Sequence, residues 1–192
     1  PHPDKRNYGL HEFRLDGNVL VSLIVLDTCA LVCSRPSSPA APPAAGADSS
    51  SQDNFRCADE ELRKYQSSAR VAERERQLAW LTAVLSRPRQ PNEFRIVVGH
   101  FGVFSFRGNG PTRALAEDLL PLMRKHRVDA YVCGHDHALQ VITASRDDPL
   151  YLVSGAGGYV LHPKLKPEAD AAVNAAFGPA SLVRALDEGG FM

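Results

Sequence analysis

His100 and His135 each follow a glycine, and His137 stands two residues beyond the second of them, in Gly134-His135-Asp136-His137. Neutral imidazole is the commonest nitrogen donor to zinc, iron and manganese, so three such rings brought to one place would suit a metal site. A single Gly-His dipeptide usually marks an ordinary hydrogen-bonded histidine. Two of them, each closing a short apolar run, shift the balance towards ligands. Asp136 lies between two candidate ligands that must face one way, so its carboxylate is expected to face the other way and orient the loop.

The elements that must position these residues are legible nearby. Residues 96–98 and 130–133 are apolar runs bounded by glycine, which read as buried strands, and a helix-length segment joins them. A strand, helix, strand order puts both Gly-His corners at the same edge of one sheet, where the rings can converge. Gly99 and Gly134 are expected to let the chain turn sharply as it leaves each strand. Between the corners runs FGVFSFRGNG, whose glycines and single basic residue make Phe101 and Arg107 candidates for the rim of a substrate cleft.

With GHFGVFS, NGPT, YVCGHDHALQ and LVSGAGGYV, the chain resembles the calcineurin-like metallophosphoesterases. Within them it is similar to the small purple (tartrate-resistant) acid phosphatases, with gaps, from about residue 7 to about residue 191. The resemblance implies an α/β (α+β) fold: part of an αββα four-layer sandwich with a mixed sheet, flanking helices and the N-terminal half absent. Residues 1–192 would be the C-terminal portion of a single domain. The implied activity is phosphoric monoester hydrolysis by attack of a metal hydroxide on phosphorus. The implied cofactor is a dinuclear centre of Fe(III) with Fe(II), Zn or Mn, expected only in the intact protein. By motif, His100 and His135 resemble the histidines on the second metal, and His137 the histidine on the first, ferric-type metal.

Two departures from the family pattern stand in the loop. Gly102 replaces a proline, which enlarges backbone freedom. Asn109 replaces a histidine thought to protonate the leaving group, and an amide cannot serve as a general acid. The family's remaining ligands come from a strand-end aspartate, a Gly-Asp-x-x-Tyr motif and a Gly-Asn-His motif, none of which is in this sequence. Three neutral imidazoles bring no anionic charge to two cations that sit about 3.5–4 Å apart in such sites. The expected partners are therefore a phosphate-ester substrate and the missing N-terminal half of the same domain. Two other readings are a non-catalytic remnant or binding module of the fold, and a phosphodiesterase or nucleotide pyrophosphatase of the same superfamily. Family resemblance suggests a secreted or lysosomal/vacuolar setting, with no N-terminal signal observable.

The 192 residues are 44% hydrophobic and carry no formal net charge, which suits one core and gives no basic footprint for nucleic acid. No apolar run is long enough to span a bilayer. Cys29, Cys33, Cys57 and Cys133 form no CxxC pair and fit either two disulfides or four thiols. Residues 34–52, rich in Pro, Ala and Ser, offer nothing large and apolar to bury and read as a disordered surface insertion. Hairpins are predicted for 11–15 with 19–26, turning at Asp16-Gly17-Asn18, and for 139–143 with 150–154. The second strand of the first hairpin, VLVSLIVL, is predicted to be covered on both faces. Asp27 reads as a cap or a loop hydrogen-bond residue, and helices are expected over 67–86 and 113–126, the latter capped by Thr112 and kinked or shortened at Pro121. Trp80 is expected to pack on the sheet. His126 is expected at the surface, charged against the helix dipole.

Overall fold

The structure, a computed structural model, describes residues 6–34, 68–107, 111–158, 161, 181–186 and 190. From residue 35 onward, the Pro/Ala/Ser-rich stretch expected to be a disordered insertion lies outside them, as does Asn109. The chain opens with strand β1 (Gly9–Leu15), a 3-10 turn (Asp16–Asn18) and strand β2 (Val19–Val25). Gly17 and Asn18 take φ of 75° and 60°, the left-handed conformation that this hairpin needs. Helix α1 (Thr28–Cys33) and helix α2 (Ser68–Leu85) follow, then strand β3 (Glu93–Val98), helix α3 (Arg113–Lys125) and strand β4 (Ala130–Cys133). Strands β5 (Leu139–Thr143) and β6 (Leu150–Ser154) form the second predicted hairpin, and β7 (Ser181–Leu186) pairs with β5.

These strands make one mixed sheet in the order β1-β2-β3-β4-β6-β5-β7. β2, β3, β4 and β6 run parallel at its centre. Strand alternation divides the sheet into two unlike faces. Ile24, Val97, Tyr131, Tyr151 and Val153 point to one face and join a core with Leu31 and Val32 of α1, Leu81 and Leu85 of α2, and Leu115, Leu119 and Met123 of α3. On the other face, Val21 of β2 pairs with Phe94, and Val25 with Val98, in rows that are half-buried or exposed. β2 is thus buried on its helix side and only half-buried on the other, where its composition predicted cover on both. The described residues form an α/β half-sandwich, a sheet with helices on one face.

A buried ion pair anchors α2 to the start of β3. Arg95 Nε lies 3.0 Å from Glu93 Oε1, with side chains 4% and 2% exposed. The same guanidinium donates to the carbonyls of Leu85 and Arg87 at 2.8 and 2.9 Å, and Ser22 Oγ donates to Glu93 at 2.8 Å. Buried charges are tolerated when every donor and acceptor is matched, and here the matching ties the helix end to two strands.

Other sequence expectations are corrected. Thr112 occupies the N-cap position of α3 but its side chain makes no capping bond, and α3 runs past Pro121 to Lys125, so it is not shortened there. Cys33 is disulfide-bonded while Cys29 and Cys133 are reduced thiols, which is neither of the two cysteine states expected. His126 is half-buried, and desolvation, reinforced by Lys125 and Arg95, pushes its pKa below the ordinary imidazole value instead of favouring the charged ring.

Candidate metal centre

The parallel pairing of β3 with β4, with Val98 beside Val132, sets the two Gly-His corners next to each other. Gly99 N donates to Val132 O at 3.0 Å, and Gly134 N donates to His100 O at 3.1 Å, so the corners share main-chain bonds beyond the strands. There His135 Nδ1 and His100 Nε2 stand 3.1 Å apart. Two nitrogens at that spacing fit two neighbouring ligands of one cation, each about 2.1 Å from it.

His137 lies against a third corner, at residues 155–158. A Cβ built on Gly158 would lie 2.6 Å from His137 Cδ2, so this ring lies directly over the 155–158 corner. Among the described residues no group of three or more His, Cys, Asp or Glu is placed to hold a metal ion. The structure brings two of the three sequence-predicted ligands together and leaves the third apart.

Asp136 is 3% exposed, and its main chain makes the tight turn, with its N–H on Gly134 O and its carbonyl accepting from Ala138. That carbonyl lies 2.0 Å from where a Cβ of Gly155 would be, so the 155 corner must be glycine. Phe101 and Arg107, expected at a cleft rim, are 3% and 5% exposed. Phe101 packs edge-on against His135, with ring centroids 4.6 Å apart, and lies 5.0 Å from the His100 ring. Its visible work is to back the imidazole pair. Arg107 N–H bonds to Ser105 Oγ, which accepts from the fully buried Gln140.

Three residues outside the sequence-predicted set complete the corner. Asp27 caps α1 as expected, its carboxylate accepting from Ala30 N at 2.9 Å. The fully buried Gln77 of α2 then binds the Asp27 main chain twice, accepting from its N–H at 2.8 Å and donating to its carbonyl at 3.1 Å. Beyond it, Thr28 Oγ1 accepts from the N–H groups of His100 and Phe101 at 2.9 and 3.0 Å. From the other side Tyr131 Oη donates to Phe101 O at 2.6 Å. Burial, then Cys133 and Tyr151, raise the Tyr131 pKa well above the ordinary phenol value, which keeps that donor protonated. Nothing in the sequence marks Thr28 or Tyr131 beyond their places in or beside apolar runs, or Gln77 beyond its place after the charged run 73–76.

Residues 41–139, more than half of the chain, match the calcineurin-like phosphoesterase family, and the chain belongs to it. Within that family its relatives are purple acid phosphatases. Over 84 residues it is 39% identical to tartrate-resistant acid phosphatase type 5 of Sus scrofa, covering 44% of this chain and 24% of that protein. Over 75 residues it is 40% identical to purple acid phosphatase 17 of Arabidopsis thaliana, covering 38% and 22%. The matched stretch therefore spans about a quarter of these relatives' length. A solved structure described as "GAP50 the anchor in the inner membrane complex of Plasmodium" shares the fold at TM-score 0.56 and 19% identity, over 96% of this chain and 44% of that one.

Proposed function

We propose that this chain is the C-terminal portion of a single-domain phosphoric monoester hydrolase of the purple acid phosphatase type, completed by an N-terminal half that supplies the remaining ligands. The observation that carries this reading is the imidazole pair, 3.1 Å apart at adjacent ends of parallel strands, in a chain of the phosphoesterase family. The share of the relatives' length that is matched supports the incompleteness, as does the apolar, half-buried second face of the sheet. Residues 34–52 would be an insertion within the same domain.

Cations held in such a site would supply an activated water nucleophile and offset charge on the phosphoryl group. His100 and His135 would hold one cation, and His137 would turn to the other. Phe101 keeps the imidazoles apart from solvent on their buried side. Asn109 can hydrogen-bond an ester oxygen but cannot protonate it, so esters with good leaving groups should be turned over best.

The test is an assay of the complete natural protein that contains this chain. Aryl phosphate should be hydrolysed faster than alkyl phosphate, and His100→Ala and His135→Ala should each bring the rate to background. Preference for a phosphodiester would replace the monoesterase reading. Turnover of neither class would leave the fold as a binding module.

A further inference from the structure

Gly99 stands where the end of β3 meets the start of α1 and the side chain of Tyr131 in β4. A Cβ there would meet Thr28 Cγ2 at 2.4 Å and the Tyr131 hydroxyl at 2.7 Å. Both side chains pass through the space that the glycine leaves open and end on the same stretch of main chain. Thr28 takes the amides of His100 and Phe101, and Tyr131 takes the carbonyl of Phe101. The residue whose ring meets His135 edge-on is the one held at both its N–H and its C=O. A side chain that fixes a peptide plane fixes the Cα–Cβ direction of the residues on either side of it. These bonds therefore set where the His100 and Phe101 rings can go.

We propose that Thr28 and Tyr131 are positioning residues, which hold the His100–Phe101 main chain so that the two imidazoles stay at the spacing a cation requires. The proposal rests on the reading of His100 and His135 as cation ligands. Thr28 bonds two amides with one oxygen, so loss of that oxygen leaves one buried and one part-buried donor without their acceptor, whereas serine retains it. Partners that orient ligands in this way commonly affect metal affinity by about 10–100-fold.

The test uses the complete natural protein that contains this chain, freed of metal, with Zn2+ alone titrated by calorimetry and amide hydrogen exchange measured in parallel. Thr28→Val should weaken Zn2+ binding by about tenfold or more and speed exchange at the His100 and Phe101 amides, while Thr28→Ser stays near wild type. Tyr131→Phe should weaken Zn2+ binding in the same direction, and it carries the test should Thr28→Val not fold. Ser22→Val, in the middle of β2 and bonded to Glu93, serves as a control for general destabilisation. If Thr28→Val or Tyr131→Phe weakens Zn2+ binding no more than Ser22→Val at a matched loss of Tm, the positioning role is overturned. If His100→Ala binds Zn2+ as well as wild type, the ligand reading itself fails, and the outcome is distinct because it does not involve Thr28.

Discussion

Gly99 and Gly134 each precede a histidine at the end of a parallel strand, yet the two corners are built in opposite ways. At Gly99 a methyl group would collide with Thr28 and Tyr131, whereas at Gly134 nothing lies within 4 Å. The left-handed residue of the second corner is the histidine itself: His135 has φ 61°. The first corner is held by packing and side-chain hydrogen bonds to its main chain. The second is held by a backbone conformation that non-glycine residues adopt at a cost, with the Phe101 ring against its imidazole. Strain of this kind persists where the surroundings impose it, and here it falls on a candidate ligand.

The comparison can be broken most easily at the packed corner. Gly99→Ala should destabilise by about 3 kcal/mol or prevent folding, because neither Thr28 nor Tyr131 can move without losing its bonds to the 100–101 main chain. Denaturant unfolding of this variant near wild-type stability would show that the corner is not tightly packed.

The far end of the sheet offers a pH test of the same idea, that side-chain bonds fix the strand ends. Burial alone would raise the Glu93 pKa, but the bonds from Arg95, Gln90 N–H and Ser22 outweigh it and lower it from 4.5 to about 2. A carboxylate with a depressed folded-state pKa contributes stability above its unfolded value, and that contribution is lost as pH falls through the folded one. Stability should therefore decline between pH 4.5 and about 2, by on the order of 2 kcal/mol from this group. Glu93→Gln should flatten that part of the profile, and an unchanged acid limb would assign the decline to other carboxylates.

At the strained corner the backbone term can be isolated by comparing two variants that both lack the ring. His135→Gly should be more stable than His135→Ala by about 1 kcal/mol, since only glycine takes the left-handed region without penalty. Equal melting temperatures would mean that the loop relaxes out of that conformation. The smallest effect is expected at Gly134, where Gly134→Ala should raise stability by about 0.4–1 kcal/mol by restricting the unfolded chain. A loss there would reveal crowding that the structure does not contain.

Both hairpins, the two long helices and the adjacency of the Gly-His corners could be read from the sequence because each rests on a local signal. Apolar runs bounded by glycine or turn residues mark strands, a 3.6-residue stripe marks helices, and the strand, helix, strand rule places the corners at one edge. Asp27 was legible as a cap for the same reason, since its partner is three residues away. The roles assigned to the glycines were not. Freedom of φ was expected at both, but Gly99 answers to the space taken by side chains from β4 and the start of α1, and the positive φ belongs to His135. Burial of Glu93 and Arg95 was likewise hidden, because charged residues in a short strand look exposed until a helix end and two strands satisfy them.

By itself, then, the sequence determined the order of the two hairpins, the two long helices and the strands that end in Gly-His, and which edge of the sheet carries the histidines, but not α1 or β7, since chain periodicity and connection rules act over a few to a few tens of residues. Tertiary structure alone decided that His100 meets His135 while His137 lies over Gly158. It also decided that Thr28, 72 residues before His100, supplies the oxygen that holds it. Contacts of that range depend on strand register and on side-chain volumes meeting from separate elements, and no local pattern in the chain encodes which residues will meet.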